Sequence, residues 1–230
     1  TGRLTGFEAL VRWQHPERGL LGPDEFIPLA ESRGLVTPIG RWVLREACRQ
    51  IKAWQDEGLA RVPVAVNVSA MEFRQRDLVG EIKQVLADTG LDAQYLEIEI
   101  TETTLMQQPE QARTTLDELR ALGVGVTVDD FGTGYSSLAY LKRYPLDKIK
   151  VDRSFVIDTP SDGEDVAIVT AIVQLARSLQ LQSVAEGVET PEQLGLLQRL
   201  GCELAQGFGI AAPMDAGSAH AWLQMQPPEP

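Results

Sequence analysis

Histidine and cysteine are nearly missing from this chain. Of 230 residues, two are histidines (His15 and His220) and two are cysteines (Cys48 and Cys202). A Ser-His-Asp triad or a histidine-based metal cluster has almost nothing to draw on. The cysteines show no C-x-x-C spacing, which argues against a thiolate zinc site and a disulfide framework and fits a reducing, cytoplasmic setting. No apolar run approaches the ~18 residues that a membrane helix needs, and no signal peptide is visible, so membrane insertion by this domain is not expected. Cations are scarce as well: 21 Lys and Arg face 33 Asp and Glu, a formal net charge of −12. A nucleic-acid groove would be a basic stripe, so DNA and RNA are not expected partners. A phosphorylated small molecule remains compatible with this charge if cations mediate the contact. Any catalysis must run on carboxylates, Lys, Asn and metal.

What is present is an ordinary globular composition, 43% hydrophobic and 23% charged, with a regular alternation of elements. Leu4–Trp13 is a first apolar run, followed by a polar loop through His15 and Gly19. Asp24 is placed to cap a helix through Ala30, and Thr37-Pro38 opens a second helix that ends at Gly58. From there strands at 62–69, 95–101, 124–129, 148–151, 182–186 and 203–206 alternate with helices at 77–89, 109–122, 136–141, 163–179, 191–200 and 215–225. Strand followed by helix, repeated, predicts an α/β fold with a parallel sheet covered by helices. Seven strands are expected. An open doubly wound sheet would carry a phosphate-binding glycine turn after an early strand. The nearest candidate, Gly132-Thr133-Gly134-Tyr135-Ser136-Ser137, comes late and has Ser137 in place of a third glycine. The expected architecture is therefore a TIM-like (β/α)8 barrel short of its N-terminal strand and helix in this chain. One domain is expected over residues 1–226, with a Pro-rich tail at 227–230.

The informative feature is where polar residues fall. Glu8 and Arg12 lie in or just after the first strand, and Asn67 and Ser69 end the second. Glu99, Thr101 and Glu102 end the third, Asp129 and Asp130 the fourth, Lys150 and Asp152 the fifth. Glu186 and Glu189 follow the sixth, and Gln206 the seventh. In a β/α barrel these ends open on one face, the face that carries active sites. Any one acid at a strand end is more often a helix cap or a surface charge than a ligand. Taken jointly, Glu8, Glu99, Asp129, Asp130 and Glu186 bring five carboxylates to one mouth. Two divalent ions and Lys150 would neutralise them; otherwise several would have to stay protonated. Oxygen and amide donors without His or Cys favour Mg²⁺ or Mn²⁺ over Zn²⁺. Two such ions form a clamp for in-line displacement at phosphorus. On these residues the reading is a metal-dependent phosphodiester or phosphoryl hydrolase, with a one-metal lyase or enolase-type barrel still open.

The segments themselves resemble a known family. Glu8-Ala9-Leu10-Val11-Arg12-Trp13 resembles the signature of the EAL domain, the bacterial phosphodiesterase of cyclic di-GMP. The resemblance continues through Asn67-Val68-Ser69, Glu99-Ile100-Thr101-Glu102, the run from Asp129 to Leu138, Lys148-Ile149-Lys150-Val151-Asp152, Ala185-Glu186-Gly187-Val188-Glu189-Thr190 and Gln206-Gly207-Phe208. It covers nearly the whole chain in order. It implies that Glu8, Asn67, Glu99 and Asp129 hold one metal ion and that Asp129, Asp130 and Glu186 hold a second. Lys150, with Glu186 and Asp130, would form the catalytic set, Lys150 orienting the attacking water. Arg12, Gln206 and Asp152 would meet the substrate. Glu102 would brace the loop of Phe131, Gly132, Thr133 and Gly134 that couples the metal site to a dimer interface, and Glu189 would add support.

Hydrolysis of cyclic di-GMP to linear pGpG follows as the implied activity, in bacterial second-messenger signalling. A homodimer, and an upstream sensor or diguanylate cyclase domain in the full-length protein, are implied as partners. Through such domains the full-length protein could be tethered to a membrane. The alternative is a receptor of the same fold that binds the dinucleotide without cutting it. Such receptors typically lose metal ligands or the Lys, and all seven of Glu8, Asn67, Glu99, Asp129, Asp130, Lys150 and Glu186 are present. The family usually has a further strand and helix ahead of this chain's first residue. It also often has a basic or polar residue where Ala212 stands.

Overall fold

The computed structural model describes residues 2–59, 61–75, 77–134 and 138–225. Its strands and helices follow the expected alternation closely. β1 (Phe7–Ala9) is followed by a small antiparallel hairpin, β2 (Trp13–His15) and β3 (Gly19–Leu21). Helices α1 (Pro23–Ser32) and α2 (Val36–Asp56) come next, then β4 (Val64–Asn67), α3 (Ala70–Phe73), α4 (Leu78–Thr89) and β5 (Leu96–Thr101). The series continues with α5 (Glu102–Gln107), α6 (Pro109–Leu122), β6 (Gly125–Phe131), α7 (Leu138–Leu141) and β7 (Lys148–Val151). It ends with α8 (Gly163–Ser178), β8 (Gln182–Ala185), α9 (Pro191–Leu200), β9 (Leu204–Ala205) and α10 (Ala216–Gln224). Among the described residues no helix is long and apolar enough to cross a membrane.

The chain divides into two compact units. The first comprises Thr1–Ile98, Ala121–Val124 and Met214–Pro230, and the second Glu99–Arg120 and Gly125–Pro213. In the first, β1 pairs in parallel with β4, and β4 neighbours β5 in the sheet order. In the second the order continues β5-β6-β7-β8-β9, and the pairs β6/β7, β7/β8 and β8/β9 are parallel. Seven strands thus make up the parallel sheet of an α/β, TIM-like fold, the number read from the sequence.

Strand pleat explains the sequence pattern. In β5, Leu96, Ile98 and Ile100 are fully buried, and Glu97, Glu99 and Thr101 take the opposite face. In β6, Val126 and Val128 alternate with Thr127 and Asp129; in β7, Ile149 and Val151 flank Lys150. One face of each strand is therefore apolar and packs under the helices, as α8 does against β7 and β8. The other face carries the polar residues.

Three local readings need correction. Helix α2 begins at Val36, so Pro38 is its third residue and does not open it. The segment from His15 to Gly19, expected as a polar loop, is the turn of the β2–β3 hairpin, whose strands take in Trp13 on one side and Leu21 on the other. The turn is made by Gly19 at φ 77° and by His15, whose Nδ1 accepts from the backbone N–H groups of Glu17 and Arg18. Gly22, not Asp24, is the N-cap of α1; Asp24 lies in the first turn, where its charge complements the helix dipole. The expected helix over 136–141 is described from Leu138 onward, and Tyr135, Ser136, Ser137 and the Pro-rich tail at 227–230 lie outside the described residues.

Gly132, just after β6, has φ 101°, and a Cβ there would sit 2.9 Å from the Phe155 ring and 3.1 Å from Ile172. Gly132→Ala combines backbone strain with overpacking. It is expected to cost about 1–3 kcal/mol, read as a lowered urea midpoint with an unchanged slope. An unshifted midpoint would refute the tight fit.

Candidate metal centre

Three neighbouring strands bring their polar faces together around one lysine. Lys150 of β7 is 2% exposed. Its Nζ lies 2.9 Å from Glu99 Oε2 on β5, 3.4 Å from Asp129 Oδ1 on β6, and 2.7 Å from Glu186 Oε1 just beyond β8. Glu99 is 4% exposed, so the pair is desolvated on both sides. An ammonium in such a place holds its charge only because carboxylates surround it, and removing either partner strands the other.

Asp129 and Asp130 are consecutive, and in a regular strand they would point to opposite faces. The register with β7 slips here: Val128 pairs with Ile149, but Phe131 pairs with Val151, so β6 holds one extra residue. Asp130 occupies this bulge with φ 54°, a conformation that Asp tolerates better than most residues. Its backbone N–H donates to Asp129 Oδ1 at 3.0 Å, and its carbonyl accepts from Thr133 Oγ1 at 2.8 Å. The bulge is what allows two adjacent acids to face one site.

As a result, one carboxylate oxygen from each of Asp129, Asp130 and Glu186 lies within 4.8 Å of the others. Burial, followed by the charges of Asp129 and Asp152, pushes the Asp130 carboxyl up from 3.8 to about 6. Four acids around one ammonium leave the cluster strongly anionic when all are ionised. Close carboxylates, hard oxygen donors and a raised acid together fit a divalent cation, since metal charge would relieve the repulsion that now holds a proton.

The supporting loops are built from helix caps. Asp152 caps the short 3₁₀ turn Arg153–Phe155, accepting from the N–H of Ser154 at 2.9 Å and from its hydroxyl, while also facing Asp130. Glu102, 1% exposed at the start of α5, accepts from the N–H of Gly132 at 3.1 Å. Gln206 follows β9 and its backbone bonds to Ala185 and Val188, next to Glu186. Glu189 is exposed, and its N–H donates to Gln193.

Glu8, Arg12 and Asn67 belong to the other unit. Asn67 Nδ2 donates to Glu8 Oε1 at 2.7 Å across the β1/β4 pair, and Arg12 donates to the Val11 carbonyl. Gln193, 3% exposed and accepting from the N–H groups of Glu189 and Thr190, was not among the expected site residues. The available signal was Thr190-x-x-Gln193, a capping-box pattern.

A family model for the EAL domain matches residues 1–213. The chain belongs to the EAL domain family. This EAL domain is 49% identical over 215 residues to MucR of Pseudomonas aeruginosa, described as a bifunctional diguanylate cyclase/cyclic di-GMP phosphodiesterase; the match covers 94% of this chain and 31% of that protein. It is 48% identical over 223 residues to NbdA of the same organism, a cyclic di-GMP phosphodiesterase, covering 97% of this chain and 28% of the relative. The EAL domain thus spans under a third of the length of these curated relatives. A solved structure of the PaMucR phosphodiesterase in complex with c-di-GMP matches with TM-score 0.92 at 48% identity, covering 94% of this chain and 88% of that one.

The raised Asp130 gives a signed expectation for the metal-free protein. The folded state holds this proton up to about pH 6, whereas the unfolded chain releases it near 3.8. The contribution of this group to stability is therefore highest below about pH 4, falls between about 4 and 6, and stays low above. Asp130→Asn, which keeps a residue tolerant of positive φ, should remove that slope and raise stability at pH 7. Denaturant midpoints from pH 4 to 8 in chelator check this; parallel pH profiles for the two proteins would refute it.

Proposed function

We propose that this EAL domain hydrolyses cyclic di-GMP to linear pGpG with two divalent cations, Mg²⁺ or Mn²⁺. The observation that carries the reading is Lys150, buried and bonded to Glu99, Asp129 and Glu186 beside Asp130, in a chain nearly half identical to two named cyclic di-GMP phosphodiesterases. Receptors of this fold typically lose metal ligands or the lysine, and here Lys150 and its acids are all present. When bound, the cations supply Lewis-acid charge at phosphorus and lower the pKa of water.

The family resemblance assigns Glu8, Asn67, Glu99 and Asp129 to one cation and Asp129, Asp130 and Glu186 to the other. The Lys150 ammonium, a donor with three hydrogens, orients the attacking water from its nearly dry position. Asp130 and Glu186 complete the reacting set by fixing the carboxylate frame in which that water sits. Arg12 offers a planar fork to a phosphate of the substrate. Gln206 would lie near a guanine or the water network, and Asp152 would meet the substrate. Glu102 holds the turn of Phe131, Gly132, Thr133 and Gly134 against the bulge that aims Asp129 and Asp130. In this reading the domain works as a homodimer and is joined to an upstream sensor or diguanylate cyclase domain.

Incubation with cyclic di-GMP and Mg²⁺ or Mn²⁺ should yield pGpG, and chelation should abolish it. Turnover that survives exhaustive chelation overturns the two-metal reading. Tight binding with the dinucleotide left intact makes the domain a receptor instead.

Arg12→Ala and Lys150→Ala should fail differently. A phosphate contact present in both ground and transition states acts mainly on KM, so Arg12→Ala should raise KM and largely spare kcat. Lys150→Ala should lower kcat by about 10²-fold or more, with dinucleotide binding in Ca²⁺ largely kept. If Lys150→Ala loses only affinity, the lysine is a phosphate clamp.

Glu102→Ala removes the acceptor of the Gly132 N–H and should lower turnover at limiting metal without unfolding the domain. Wild-type kinetics at limiting metal would rule out the bracing role.

A further inference from the structure

A helix-capping glutamine can act at the active-site face if its amide reaches beyond its own helix. Gln193 is the third residue of α9, and its backbone N–H donates to Thr190 Oγ1 at 3.2 Å. Its Oε1 accepts from the N–H groups of Thr190 at 2.9 Å and Glu189 at 2.7 Å. A glutamate would serve that half of the cap equally well. The other half of the amide has no role in the cap: Nε2 donates to the carbonyls of Ile157 at 2.9 Å and Val156 at 3.2 Å. Both donor hydrogens and both acceptor positions are used, with the side chain 3% exposed.

Val156 and Ile157 close the 3₁₀ turn that Asp152 opens after β7. Glu189 and Thr190 end the loop that Glu186 opens after β8. Gln193 therefore ties together the two loops that carry Asp152 and Glu186. A second contact joins the same loops. Gly187, next to Glu186, has φ 67°, and a Cβ there would lie 2.7 Å from the Arg153 Cβ. The two segments approach closely at Gly187 and are bonded at Gln193, and Val156 and Val188 in them are both buried.

We propose that Gln193 is a positioning residue for the metal centre: its amide fixes the Glu186 loop against the turn after Asp152, and so holds the Glu186 carboxylate in the ligand set. The inference rests on the metal-dependent reading above. It differs from a capping role in one respect, because it assigns the Nε2 donors, which the cap does not need, to metal affinity. Outer partners that orient a metal-ligating carboxylate are typically worth about 10–100-fold in metal affinity or activity.

The test compares four proteins by direct Mn²⁺ titration without substrate, by thermal unfolding, and by kcat against metal concentration. Gln193→Glu keeps the cap acceptor and sets a carboxylate against two carbonyls. Gln193→Met keeps the volume and removes the amide. Thr190→Ala weakens the same helix end without touching the link to Val156 and Ile157. Glu186→Gln reports on the ligand itself.

Mn²⁺ affinity should fall about tenfold or more in both Gln193 variants, with kcat recovering to within about twofold at saturating metal and KM for the dinucleotide unchanged. Thr190→Ala should melt earlier yet bind Mn²⁺ normally. Gln193 variants that melt earlier but bind Mn²⁺ normally overturn the proposal, as does failure of both to fold, which makes the glutamine a stability residue. If Glu186→Gln binds Mn²⁺ as the unmodified protein does, the metal-centre reading itself falls, a result separate from any behaviour of Gln193.

Discussion

The charge of Lys150 is the constraint on which the centre of the second unit depends. A lysine buried between Ile149 and Val151 can exist there only with carboxylates against it, and β5, β6 and the β8 loop each supply one. Those acids in turn repel one another once Asp130 is added. The protein carries this tension as a proton retained on Asp130 to about pH 6. A site arranged this way is unstable to ionisation without cations and welcoming to them, which is the electrostatic condition for holding hard metal ions.

Geometry meets that electrostatic demand through three devices. Strand pleat sends Glu99, Asp129 and Lys150 to one face while their neighbours fill the core. The bulge in β6 adds Asp130 to the same face. Hydrogen bonds to the loops, from the Gly132 N–H to Glu102 and from the Gln193 amide to the carbonyls of Val156 and Ile157, fix segments flanking the cluster. Side chains held by such outer contacts lose little freedom when a ligand arrives, which is how a preorganised site limits the entropic cost of binding.

Much of this was legible in the primary structure. The alternation of β-branched runs with helical spacing identified the α/β class and the strand count, and several elements, such as Lys148–Val151 and Pro191–Leu200, match residue for residue. The concentration of Glu8, Asn67, Glu99, Asp129, Asp130, Lys150 and Glu186 at strand ends pointed to oxygen-donor metal chemistry, and their motifs pointed to the family whose model matches residues 1–213. The β2–β3 hairpin escaped because its turn rests on a histidine accepting two backbone N–H groups, a contact with no compositional mark. The helices α3 and α5 escaped because, at four and six residues, they are too short to show a period.

Sequence alone determined which groups are available: many acids, a lysine set between Ile149 and Val151, almost no histidine or thiol. It fixed the chemistry of the donors, since side-chain identity sets hardness and charge whatever the fold. Only the tertiary structure decided how those donors face one another. Alternation by itself would place Asp129 and Asp130 on opposite sides of the sheet, and the one-residue slip against β7 turns both to one side. The capping glutamine of α9 is likewise invisible as a link until the turn after β7 comes within hydrogen-bond reach. Registers and reach depend on contacts between residues distant in the chain, and no local pattern encodes them.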